Sequence, residues 1–130
     1  MGCDMHVSVE WKWKDSKQWN HATNFEVNRN YPLFAKLANV RNYNEIIPIS
    51  LPRGMPENYT KETQEYQERH SNHNLTWISE DEIRFTFSVG PLDAPWRYDD
   101  KPTDFELLVF GYMRAFEKVS VYRVIVGFDN

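Results

Sequence analysis

The chain lacks most of the features that would announce a class. It has one cysteine, Cys3, in 130 residues, which excludes an internal disulfide framework and fits a reducing compartment. No apolar run reaches membrane-spanning length, and the N-terminus has neither the basic nor the apolar region of a secretory signal. The expectation is a soluble, cytoplasmic protein with no membrane partner. Basic blocks are also missing. The net charge is -4, so a track for long nucleic acid is not expected, although a local arginine cluster would still hold one or two phosphates. Repeats and low-complexity tracts do not occur. The Met-Gly-Cys start does not continue as a myristoylation signal, because position six is His6 rather than Ser or Thr.

Aromatic residues, by contrast, make up 15% of the chain. A domain of this length can bury its own core without staples, and the aromatic excess points to a pocket, a homodimer interface or both.

Residues 3–13 alternate Cys, Met, Val, Val, Trp, Trp against Asp, His, Ser, Glu, Lys, which predicts a strand with one apolar face. Asp15-Ser16-Lys17 reads as a turn and 18–27 as the returning hairpin partner. Asn30 as N-cap and Pro32 in the first turn predict a short helix through Ala38. Residues 41–58 hold Pro48, Pro52, Gly54 and Pro56 and read as a long loop, folded over the body by Ile46, Ile47, Ile49 and Leu51. Residues 58–70 read as a polar helix with thin apolar contact, mainly Tyr59 and Tyr66.

Ser79 to Glu82 matches a capping box, but the alternation of Phe85, Phe87 and Val89 competes for a strand. Residues 90–102 are a second loop with three prolines. Thr103 to Glu106 is a second capping box. It opens a helix with a stripe of Phe105, Leu108, Tyr112 and Phe116, widened by Leu107, Phe110 and Met113, expected to be the most buried helix. Residues 119–128 are almost continuously apolar and read as a central strand covered on both faces. The expected fold is α+β: a single compact domain over 1–130. A small sheet containing the N- and C-terminal strands packs against three or four helices, with two long loops.

Strand alternation places Asp4 and His6 on one side and Cys3, Met5, Val7 and Val9 on the other. Asp4, His6, His70 and His73 form a candidate zinc or manganese set, since imidazole and carboxylate suit those ions. The alternative is a buried couple in which Asp4 orients the His6 ring. Asp99 and Asp100 would complete a cation site if their loop reached His6. Cys3 reads as a core residue, because a neighbouring carboxylate raises a thiol pKa.

Arg29 precedes the cap at Asn30, and Arg41 follows the same helix. Together with the helix N–H groups they would hold a phosphate or carboxylate. The competing reading pairs Arg29 with Asp4 or Asp129. Tyr31 and Asn42 would add base or sugar contacts. Trp11, Trp13 and Trp19 are expected to pack in the core or an oligomer interface, whereas Trp77 and Trp96, beside loops, are expected to cover a ligand.

Four segments together resemble a family of small uncharacterised proteins encoded by tailed bacteriophages. They are Met1-Gly2-Cys3-Asp4-Met5-His6, Arg29-Asn30-Tyr31-Pro32-Leu33-Phe34, Ala38-Asn39-Val40-Arg41-Asn42 and Gly127-Phe128-Asp129-Asn130. His70-Ser71-Asn72-His73 with Leu75-Thr76 resembles the family's histidine segment, with the histidines three apart rather than two. The resemblance implies a viral origin and the host cytoplasm. It carries no activity. Accessory proteins of this kind are associated with blocking bacterial immune systems that signal through modified or cyclic nucleotides.

Three functions follow as expectations. The first is binding of a small phosphorylated or nucleotide ligand, with sequestration of a host signal. The second is a metal-dependent phosphodiesterase or hydrolase using Asp4, His6 and His70. The third is an inhibitor or adaptor that binds a host protein through an aromatic patch.

Overall fold

The computed structural model describes residues 2–114 and 118–130. In chain order the elements are β1 (Asp4–Trp13), β2 (Asn20–Glu26), α1 (Tyr31–Ala38), α2 (Lys61–His70), β3 (His73–Ser79), α3 (Glu80–Thr86), α4 (Asp104–Met113) and β4 (Ser120–Asp129). The strands form one antiparallel sheet in the order β2-β1-β4-β3. The fold is the expected α+β domain, with the two terminal strands side by side at the sheet's centre. Among the described residues no helix is long and apolar enough to cross a membrane.

Pairing of Asp4 with Asp129 at one end and Trp13 with Ser120 at the other gives the sheet two chemically different faces. Met5, Val7 and Val9 stand beside Phe128, Val126 and Val124 on one face. There they meet Leu33 and Phe34 of α1, Ile83 of α3, and Phe105 and Val109 of α4 in the main core. Each such buried side chain contributes about 1.5–3 kcal/mol relative to exposure. Cys3 belongs to this core, and burial pushes its thiol pKa up.

The opposite face is polar and yet buried. His6, Ser8 and Glu10 of β1 lie there under α2, whose own buried residues are Thr63 and Gln67. A helix this polar packs because hydrogen bonds replace apolar contact. Glu10, fully buried, accepts from the Thr60 N–H (2.8 Å), the Thr63 hydroxyl (2.7 Å) and Arg123 Nε (2.8 Å). Gln67 Nε2 donates to the His6 carbonyl (3.2 Å) and to Ser8 Oγ (3.1 Å), and Ser71 Oγ donates to Gln67 Oε1 (2.7 Å). Gly127 leaves room for this approach, since a Cβ there would collide with Ser71 and Gln67.

Of the two readings after Ser79 the helix holds, because the Ser79–Glu82 capping box closes reciprocally. Two local expectations are corrected. In α4 the buried stripe is Phe105, Glu106, Val109 and Met113, while Leu107, Leu108 and Tyr112 are exposed. The rotation follows from Glu106, whose carboxylate takes a fork from Arg97 (2.6 and 3.0 Å) and closes the Thr103 capping box. Phe116 lies outside the described residues. In the 41–58 loop Ile49 packs on the core, whereas Ile47 and Leu51 are exposed. Strand β3 was not expected.

Candidate functional site

The sheet register brings the two chain ends together. Asp4 lies opposite Asp129, and His6 opposite Gly127, on the polar face. His6 Nε2 donates to Asp129 Oδ2 at 2.5 Å, so Asp129, not Asp4, orients the ring. Asp4 instead receives Arg29: Nε to Oδ1 is 2.7 Å and Nη2 to Oδ2 is 3.3 Å. That hydrogen bonding holds the Asp4 carboxyl below the usual carboxylate range. The last turn of α2 stacks His70 on His6 (ring centroids 5.3 Å), and Tyr66 meets His6 edge-on (6.0 Å). Asp4, His6 and His70 therefore share one end of the sheet. The His6 side chain is 5% exposed, enclosed by its partners.

The four-residue metal set is not assembled. His73 pairs in register with Phe128 and stacks on its ring (6.1 Å), which puts it on the apolar face, away from His6. Among the described residues no group of three or more His, Cys, Asp or Glu side chains is arranged to hold a metal ion.

The expected ligand contacts divide. Asn30 is used up inside the fold: Oδ1 accepts from Leu33 N and Nδ2 donates to the Trp96 carbonyl (2.7 Å). Asn42 ties its own turn, donating to the Ile46 carbonyl (2.7 Å) and accepting from the Ile46 N–H (2.8 Å). Tyr31 accepts from the Cys3 N–H, and Arg41 lies over the Tyr31 ring (5.4 Å). Trp96 is a correction. It is 2% exposed, packs in the core against Phe87 and lines neither of the two cavities described below. Trp77 remains half-buried at the mouth of a cavity.

That cavity, about 650 Å³, lies where β3 and β4 meet the start of α3. Trp19, Trp77, Lys14, Arg123 and Met55 line it, with Glu57, Glu80 and Asp81 at its acidic side. The Arg123 guanidinium lies 3.9 Å from the Trp19 ring centre, holding the indole in place. Its Nη2 is 2.7 Å from Glu10 Oε1, within the same buried ion pair.

A second cavity of about 370 Å³ lies beside α2, and Met55 belongs to both walls. The strap carrying Met55 is anchored on the outer edge of β3. There Arg53 N donates to Thr76 Oγ1 (2.9 Å) and Gly54 N to the Leu75 carbonyl (2.8 Å). Gly54 takes φ 79°, a left-handed conformation suited to glycine.

Arg53 also braces Trp77, lying 4.9 Å from its ring centre, and forks onto Glu82 (2.7 and 2.6 Å). Hydrogen bonding to Arg53 pulls the Glu82 pKa from 4.5 to about 2. A depressed carboxyl stabilises the fold fully above its unfolded pKa and loses that contribution as pH falls toward the folded value. Denaturant unfolding of wild type is therefore expected to lose roughly 1–2 kcal/mol between pH 5 and 2 through this group, discounted for its partial exposure. Glu82→Gln should lose correspondingly less over the same pH range. Equal pH slopes in the two proteins would show that the pair contributes nothing.

Sequence reading missed Trp19 and Arg123 as wall residues, Arg53 as the brace of Trp77 and Asp129 as the partner of His6. Arg123 did carry a signal, as a lone cation within an apolar strand. No protein-family model, curated protein or solved structure matches this chain.

Proposed function

We propose that the protein is a small-molecule binder whose ligand carries a planar aromatic ring of the nucleobase type. The observation that carries this is the 650 Å³ cavity with Trp19 and Trp77 on its walls, each indole braced by an arginine. Its size suits a small ligand, and indole faces stack on any base. Arg29 and Arg41, expected to hold a phosphate, are engaged with Asp4 and Tyr31, so recognition rests on the ring. A phage accessory protein that removes a nucleotide-derived host signal is the biological setting we propose for it. Neither cavity is lined by Asp4, His6 or His70, which favours the binder over the hydrolase.

Quenching of tryptophan fluorescence by a panel of bases, nucleosides and nucleotides tests the reading. Saturable quenching is expected, with affinity lowered roughly tenfold or more in Trp19→Ala and Trp77→Ala, because stacking is worth about 1–3 kcal/mol per base. Tyr98→Ala, which lines neither cavity, should bind like wild type. If no probe binds, or if both tryptophan variants bind unchanged, the proposal fails.

A further inference from the structure

Resting on that reading, we infer that the two cavities form one bipartite site joined at Met55, and that its ligand is a nucleoside rather than a free base or a nucleotide. The cavities share the Met55 side chain as a wall. Methionine is unbranched and has several accessible rotamers, so it can yield to an occupant that crosses between them. The strap is tied on both sides of Met55, by Arg53 and Gly54 to β3 and by the Thr60 N–H to Glu10. The junction is therefore held in place while its side chain adjusts.

The compartments differ in chemistry. The larger has indole walls and takes the ring. The smaller is lined by hydrogen-bonding groups, Tyr59, Gln64, Ser71, Asn72 and Asn74, with Glu68 and His73 and without any lysine or arginine. Amides and hydroxyls both donate and accept, as a ribose requires.

Charge excludes the phosphate. Across both cavities the basic residues are Lys14, Arg123 and His73; Arg123 is already neutralised by Glu10, and His73 is stacked on Phe128. Against them stand Glu57, Glu68, Glu80 and Asp81. A phosphate monoester would enter a net acidic surround and be repelled. A nucleoside would not.

Titration calorimetry with each base, its nucleoside and its 5′-monophosphate tests this on the full chain. The preferred nucleoside is expected to bind roughly tenfold tighter than its base, about 1.4 kcal/mol. The monophosphate should bind roughly tenfold weaker than the nucleoside, with that gap narrowing as salt is raised. Gln64→Ala, at a half-buried wall position of the smaller cavity, should reduce nucleoside affinity and leave base affinity unchanged. Met55→Phe, which narrows the junction, should do the same, and Met55→Leu should restore the wild-type preference.

Equal affinity for base and nucleoside would overturn the bipartite site and leave the ring-binding reading standing. Tighter binding of the monophosphate would overturn the nucleoside assignment. Absence of binding by all three classes would overturn both readings together.

Discussion

Trp96→Ala is expected to destabilise the protein by about 3–5 kcal/mol while leaving the ligand affinity of the folded protein unchanged. Trp96 packs edge-on against Phe87 (5.5 Å) and is almost fully enclosed. Truncation opens a large cavity that the surrounding rings cannot fill, because α1, α3 and α4 are all anchored on the same sheet face. The effect spreads through the backbone. The Trp96 carbonyl accepts from Asn30, the N-cap of α1. Its neighbour Arg97 donates to the carbonyls of Val89 (3.0 Å) and Phe87 (2.8 Å) and to Glu106.

Among the described residues Trp96 Nε1 finds no hydrogen-bond partner, so Trp96→Phe removes an unsatisfied donor as well as volume and should cost less than Trp96→Ala. Thermal unfolding checks both, with a fall of roughly 10–20 °C expected for the alanine variant. A variant that keeps its Tm and loses ligand affinity would return Trp96 to the ligand cover that its loop position suggested.

The contrast between Trp77 and Trp96 shows where sequence reading stops. Both tryptophans lie beside loops in the chain. Which one reaches the surface is decided by long-range packing that local pattern does not encode. Local signals translated well: the alternation of residues 3–13 became β1, and both capping boxes closed as drawn.

Strand β3 was illegible for a physical reason. Asn74 takes a left-handed φ of 52°, and the register slips between His73 and Thr76, so no clean period-two pattern survives. The α4 stripe was misplaced because a charged residue, Glu106, is buried by a partner in a preceding loop. At the chain ends, alternation correctly put Asp4 and His6 on one face. The Arg29–Asp4 pair was one of the readings the sequence offered, whereas Asp129 as the partner of His6 depended on a pairing between the first and last strands. The polar row of β1, the polar helix and lone Arg123 were all visible, and only their assembly was not.

That assembly makes Glu10→Ala the second large effect, expected at about 3–5 kcal/mol. The carboxylate is fully buried and is the common acceptor for Arg123, Thr60 and Thr63. Its removal strands the Arg123 guanidinium, whose side chain is 7% exposed. Burial already lowers the Arg123 pKa, opposed by its bonding to Glu10.

Because α2 has little apolar surface to hold it, the loss should be local as well as global. Hydrogen exchange is expected to quicken in α2 before it does in α1 or α4. The double variant Glu10→Leu with Arg123→Met should recover much of the stability, since well-packed apolar residues often replace a buried ion pair without loss. It should not recover ligand binding, because Arg123 also braces Trp19. Recovery of both would show that the buried pair is scaffold alone. Recovery of stability without binding would place Arg123 in the cavity's recognition surface.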